Sequence, residues 1–280
     1  MSVPEPVPVS LSNRGFLQVL PDADEKTNLR LVFLDLVRYG ENIPNHGRAD
    51  IMAKLFVDGN LNINEVFNEV DKLEEHRQPY PTTPLVWSLM LNKKWLVQNV
   101  EILLSLGANP DTCDQKSCGP LHYISVYDPV DEPTIRATQL LLENKANIMA
   151  KDIGGRTALH LAAFNGCCNL AELLINHGAI PSDKDVDGTT PLHAAAVRGH
   201  APMVKLLMRN GVDVRTTDNK GRTAEDLAHT QSHKYVKSIL AKEDARRSTF
   251  FLNTFCFARS LTSTSSPFSP KKTLAGKPSS

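Results

Sequence analysis

One tetrapeptide returns along this chain: TPLV at 83–86, GPLH at 119–122, TALH at 157–160, TPLH at 190–193 and TAED at 223–226. The starts lie 36, 38, 33 and 33 residues apart. A period of that size predicts a stack of short units that touch only their neighbours, since a single unit cannot bury an apolar face by itself. Five residues before each of the last four copies stands an aspartate (Asp114, Asp152, Asp185, Asp218), and in three of them a turn glycine follows (Gly155, Gly188, Gly221). After each of the first four copies comes a leucine-rich run: EILLSLGANP, QLLLENKANI, ELLINHGAIP and KLLMRNGVDV.

The unit at 190–222 can be read from local physics. Thr190 before Pro191 is the order of a capping hydroxyl followed by a proline at the first helical position, where no donor is lost. Leu192, Ala195 and Ala196 form a narrow apolar stripe whose small side chains allow close packing, and Gly199 tolerates the positive φ at which a helix stops. Pro202 opens a second helix with Met203, Val204, Leu206 and Leu207 at helical spacing, ended by Asn210 and Gly211.

These frames resemble the ankyrin repeat: hairpin turn, helix, short turn, second helix and loop. Units 157–189 and 190–222 match it nearly position by position, and the resemblance covers roughly 80–240. It implies an all-α ankyrin-repeat solenoid over 81–243, with units starting near 83, 119, 157, 190 and 223. It also implies that the threonine and histidine of each tetrapeptide tie the hairpin to the helix. Val86, Gly119 and Asp226 depart from that pattern, which places the bond network in question at the outer units.

Outside the repeats, residues 1–28 are Pro-rich and expected to be disordered, with Pro4, Pro6 and Pro8 favouring an extended chain. Over 29–80 the segments LRLVFLDLVRYG, ADIMAKLFVDG and NINEVFNEVDKL read as three short helices, a helical cap or degenerate repeat in which LFVDGNLNIN echoes the end of a unit. TAEDLA reads as the C-terminal cap. Residues 244–280 are rich in Ser, Thr, Pro and Lys and are expected to be disordered, although FFLNTFCFA at 250–258 is apolar. Two units exceed 33 residues, with the extra residues in VYDPVDEPTIRA and MLNKKWLVQNV, which are expected to be loops between helices.

With 31 basic and 31 acidic side chains the chain is neutral, so no global field favours nucleic acid or a membrane surface. No run approaches the about 20 apolar residues of a membrane span, MSVPEPVPVS lacks the features of a signal peptide, and the cytoplasm or nucleus is expected. Five cysteines without a repeated CxxC suit neither a disulfide framework nor a zinc site. His122, His160 and His193 share one repeat position. Zinc ligands lie about 2 Å from the metal while packed helices are about 8–10 Å apart, so these imidazoles are expected to be structural. Cys167 and Cys168, in a polar turn, have no neighbour that would activate a thiolate. Phosphate loops and nucleophile elbows are missing, and the chain is expected to use no cofactor or metal and to perform no catalysis.

The resemblance implies a partner protein docked on the concave surface of hairpin tips and inner helices. The family's variable positions fall on Gln115, Lys116, Cys118, Val126 and Tyr127, then on Ile153, Gly154, Arg156, Phe164 and Asn165. They continue at Val186, Asp187, Thr189, Val197 and Arg198, and at Asn219, Lys220, Arg222, Thr230 and Gln231. Tyr127, Phe164, Arg156, Arg198 and Arg222 are the expected anchors, since aromatics and arginine dominate interface hot spots. They would form a mixed aromatic and basic stripe for an acidic or amphipathic segment. Thr249, after Arg246 and Arg247, and Ser269, before Pro270, are candidate phosphorylation sites. The expected function is a non-enzymatic, monomeric scaffold or adaptor. The alternatives are a ubiquitin-ligase substrate receptor, a transcription-factor inhibitor, or the regulatory subunit of an enzyme.

Overall fold

The computed structural model describes residues 29–30, 32–34, 36–37, 45–58, 61–66, 83–91, 93–126, 131–228 and 233–246. Among them the regular structure is helical, apart from one antiparallel bridge between Thr217 and Thr223. The elements are α1 (Asn45–Ala53), which runs into a π turn at Lys54–Asp58, then α2 (Pro84–Leu91), a 3-10 turn at Lys93–Trp95, and α3 (Leu96–Ser105). They continue with α4 (Pro120–Val126), α5 (Glu132–Glu143), α6 (Ala158–Asn165), α7 (Cys168–Asn176), α8 (Pro191–Arg198), α9 (Ala201–Arg209) and α10 (Ala224–Leu227). A last helix, α11, covers 234–246, three residues beyond the end of the repeats expected from sequence.

The even-numbered helices α2 to α10 pack in one row, and α3, α5, α7 and α9 pack in a second row behind them. The all-α repeat architecture expected from the tetrapeptides is therefore the one observed. Its core is a ladder rather than a centre. Phe56, Leu103, Leu141, Leu174, Leu207 and Leu240 occupy equivalent places on successive outer helices, all buried. Met52, Asn99, Ala137, Leu170, Met203 and Val236 form a second buried row beside them. Fully burying one such leucine is worth about 1.5–3 kcal/mol, and much of that burial comes from the adjacent unit.

Both ladders begin on α1 and its π turn, so residues 45–66 supply the outer helix and loop of a further, degenerate unit. Leu61 takes the buried place held by Ala108, Ala146, Ala179 and Val212 in later units. The third helix expected over NINEVFNEVDKL is not found in its described part, where 61–66 is a turn. The Asn62 side chain accepts the Asn64 N–H (3.0 Å), and the Asn64 side chain accepts the Asn109 N–H (2.7 Å). These bonds hold the backbone in a turn and tie it to the next unit. Arg48, wholly buried, donates to the Leu36 carbonyl and to Asn99 (both 3.3 Å) and stacks over Trp95, joining the N-terminal helices to α3. Within the first insertion Lys93–Trp95 forms a 3-10 turn. The second, expected to be a loop, is helical from Glu132 onward because Asp131 caps α5 by accepting the Thr134 N–H; residues 127–130 lie outside the described residues.

The conserved-looking spacing of Thr and His has a simple cause. The Thr157 backbone N–H donates to His160 Nδ1 (3.2 Å), so that nitrogen carries no proton. Nε2–H is then the donor to the Thr189 carbonyl of the next hairpin (3.2 Å). His193 repeats this with Thr190 and the Arg222 carbonyl. His122 does so with Gly119 and the Arg156 carbonyl, so the loss of the hydroxyl at 119 leaves the network intact. At the last unit Asp226 accepts both the Thr223 N–H (2.9 Å) and its hydroxyl (2.8 Å). The departures at Gly119 and Asp226 therefore preserve the link between turn and helix. Near Val86, which is buried, Thr83 pairs instead with the Thr112 hydroxyl.

Replacing His160 or His193 with Ala leaves a buried N–H and a buried carbonyl without partners, each costing about 1–3 kcal/mol. Urea unfolding of either variant is expected to show a loss of about 3 kcal/mol. Burial also pushes the pKa of His122, His160 and His193 below the ordinary histidine value. The unfolded state therefore takes up protons that the folded state refuses. This contribution to stability is complete above about pH 6.5 and is lost as the pH falls below it. A stability that rose between pH 7 and pH 5 would contradict neutral, buried imidazoles.

Candidate functional site

The inner helices and the hairpins that precede them build one continuous face. Each hairpin is folded around its aspartate. Asp152 Oδ1 accepts the N–H groups of Gly154 and Arg156, Asp185 Oδ1 those of Asp187 and Thr189, and Asp218 Oδ1 those of Lys220 and Arg222, all at 2.8–2.9 Å. The second carboxylate oxygen binds the side chain four residues on: Arg156 Nη2 and Arg222 Nη2 (2.7 Å each), or the Thr189 hydroxyl. In the second unit the Cys118 thiol is turned to the Lys116 carbonyl, and Tyr123 donates its hydroxyl to Asp114 instead (2.6 Å).

Successive hairpin tips are joined by backbone bonds, in which Ile153 donates to the Lys116 carbonyl (3.0 Å), Val186 to Gly154 (3.0 Å) and Asn219 to Asp187 (2.9 Å). At Gly155 the approach is tight enough to disfavour a Cβ. A Cβ on Gly155, whose φ is +72°, would lie 2.9 Å from the Val186 nitrogen. The equivalent residue before α4 is Ser117, at φ +56°, and Lys145, at φ +66°, stands where Gly107, Gly178 and Gly211 stand in other units.

This geometry separates the sequence-derived anchors into two groups. Arg156 and Arg222 spend their charge on Asp152 and Asp218, whose side chains are almost completely buried. Asn165 donates to the Ser125 carbonyl across units (2.9 Å). The two arginines brace their own hairpins, and Asn165 ties neighbouring units together. Phe164 is exposed, with the Arg198 guanidinium 4.8 Å above its ring, and Lys116, Asp187 and Lys220 are exposed at the tips. Tyr127, Thr230, Gln231, Thr249 and Ser269 lie outside the described residues.

Missing from those anchors is an aliphatic contribution. Ile153 and Val186 project from adjacent tips, 67% and 64% exposed, and Val126, Phe164 and Val197 end successive inner helices at 42–49%. The repeat register carried this signal, since each residue occupies a variable position. Ranking by aromatic and arginine character passed over the aliphatic members.

Cys167 caps α7 and Cys168 opens it, so the pair lies at a helix start rather than in the polar turn expected. Burial raises the Cys168 pKa and pushes Cys118 up to about 11, disfavouring thiolates. Among the described residues no three His, Cys, Asp or Glu side chains are grouped to hold a metal ion, and no helix is long and apolar enough to cross a membrane. A cavity of about 190 Å³ lined by Cys113, Ser117, His122 and Lys151 is smaller than the about 300 Å³ of a typical small-molecule site.

A family model described as ankyrin repeats in three copies matches residues 96–185 and 180–248. No curated protein matches the chain.

Two consequences follow for the hairpins. Ser117→Gly and Lys145→Gly should each raise the unfolding free energy by about 1 kcal/mol, since an L side chain in the left-handed region costs about that much; unchanged urea midpoints would contradict this. Backbone N–H donation and the Arg222 guanidinium hold the Asp218 pKa at about 2. Asp218 therefore stabilises the fold above about pH 4 and loses that effect as the pH falls toward 2. Arg222→Met should raise the midpoint of acid unfolding, and an unmoved midpoint would mean that the ion pair is immaterial.

Proposed function

From the premise that this chain belongs to the ankyrin-repeat family, whose repeats mediate protein–protein interaction, we propose that it is a non-enzymatic adaptor holding an apolar-faced segment of another protein on its concave surface. The observation that carries this reading is the pair of exposed apolar columns, Ile153 with Val186 and Val126 with Phe164 and Val197. Isolated exposed aliphatics are ordinary. Five of them in register on one face, rimmed by Asp187, Arg198 and Lys220, have the composition of an interface.

An amphipathic partner fits this face better than a purely acidic one, because two of the three arginines in the stripe are already neutralised by buried aspartates. Arg198 supplies the remaining cation, stacked where it can also meet a carboxylate at the rim of the partner. We place the adaptor in the cytoplasm or nucleus, acting as a monomer.

The test begins with a partner identified by affinity purification on the full chain and continues with purified components. Ile153→Asp combined with Phe164→Asp should weaken its binding by about 30-fold or more, the effect of a 2 kcal/mol hot spot. Thermal unfolding should stay within a few degrees of wild type, since both side chains are exposed. Unchanged affinity in that variant, with loss instead in Tyr235→Ala on α11, would move the site off the concave face.

A further inference from the structure

The chain carries its own candidate for the apolar face. Beyond Arg246, the last described residue, the sequence RSTFFLNTFCFAR at 247–259 holds four of the chain's ten phenylalanines, at 250, 251, 255 and 257. The rest of 247–280 is dominated by Ser, Thr, Pro and Lys, so a solvated tail has no need of this cluster. We propose that residues 250–258 dock on the concave face over Ile153, Phe164, Val186 and Val197 and occupy it until a partner displaces them. This rests on the reading of that face as the binding surface.

Three observations favour this occupant. The first is chemistry: phenylalanine side chains are matched to two columns of exposed aliphatic and aromatic residues that nothing among the described residues covers. The second is charge. Residues 247–280 contain five cations (Arg247, Arg259, Lys271, Lys272, Lys277) and no carboxylate side chain. In the hairpin that presents Val186, Asp183 is paired with Lys151 and Asp185 is turned into its own turn, which leaves Asp187 exposed at the tip, while Lys184 is turned to the Thr217 carbonyl. An arginine flanking the phenylalanines, Arg247 or Arg259, has Asp187 there to pair with.

The third is reach. Asp244 pairs with Arg215, which fixes the end of α11 beside the loop that leads into the last hairpin. From Arg246 the nine residues to Phe255 span about 30 Å when extended. The units at 190 and 157 lie about 10 and 20 Å along the stack, at the usual spacing of packed helices. A segment tethered this closely has an effective concentration on the order of millimolar, so a weak match suffices to fill the face.

Cys256, within the segment, makes the proposal testable in the full chain. Val186→Cys and, separately, Ile153→Cys are oxidised with copper–phenanthroline at low protein concentration, and linkage to Cys256 is read by mass spectrometry of non-reduced digests. The controls are Val57→Cys, on the first described helices, and Tyr235→Cys, on α11 near the origin of the tail; both sites are exposed. The expected result is an intramolecular disulfide at 186 or 153 in at least tenfold greater yield than at either control. Equal yields at all sites, linkage confined to dimers, or a preference for 235 would each overturn self-docking.

A second measurement uses a synthetic peptide of residues 247–260 as probe. It should bind the full chain carrying Phe251→Asp and Phe255→Asp at least tenfold more tightly than wild type, whose own segment competes. Equal binding to both would overturn the proposal. If Ile153→Asp with Phe164→Asp weakens the external partner while Cys256 forms no link, the concave site stands and self-docking falls.

Discussion

No unit of this chain can bury its apolar side alone, and every other property of the molecule follows from how neighbours meet that need. The ladder from Phe56 to Leu240 places one large side chain per unit at the same height, buried between outer helices. Regular spacing along the stack then fixes where each hairpin must stand. The imidazoles of His122, His160 and His193 use that regularity, each reaching a carbonyl in the following hairpin. Packing and hydrogen bonding thus enforce the same repeat distance.

The candidate site is a by-product of this scaffolding. Because the aspartate of each hairpin takes backbone donors on one oxygen and a side-chain donor on the other, the polar residues at the hairpin base turn inward on each other. The positions left facing outward are the tip residues and the last turn of each inner helix. There the chain carries Ile153, Val186, Val126, Phe164 and Val197. What looked basic in one dimension is largely apolar in three, since Arg156 and Arg222 are bound to their own turns.

Much of the fold could be read from the sequence because its signals are local and repeated. Thr190-Pro191, the glycines at 155, 188 and 221 and the leucine runs each specify a cap, a turn or a helix at a fixed offset. The helices of unit 190–222 lie where those signals put them. The first unit was harder to see. Its tetrapeptide is absent and its Asn62 turn resembles a helix start, so the sequence offered only the echo in LFVDGNLNIN, and it is the buried ladder and the Asn64–Asn109 bond that join the described residues of 45–66 to the stack. The site was legible as a set of positions and not as chemistry. Whether an arginine is available for a partner depends on the carboxylate four residues earlier, and that pairing is a matter of hairpin geometry. Thr189, at the same position as Arg156, shows that the aspartate asks for a donor rather than for a charge.

The nearest-neighbour character of the stack is the claim on which the site and its tolerance of surface substitution rest. Native-state hydrogen exchange of full-length Leu240→Ala measures it most directly. If each unit is held by its neighbours, protection should fall strongly over 224–246, less over α8 and α9, and little over α6 and α7. An equal loss of protection in every helix would reveal one shared core and contradict the account.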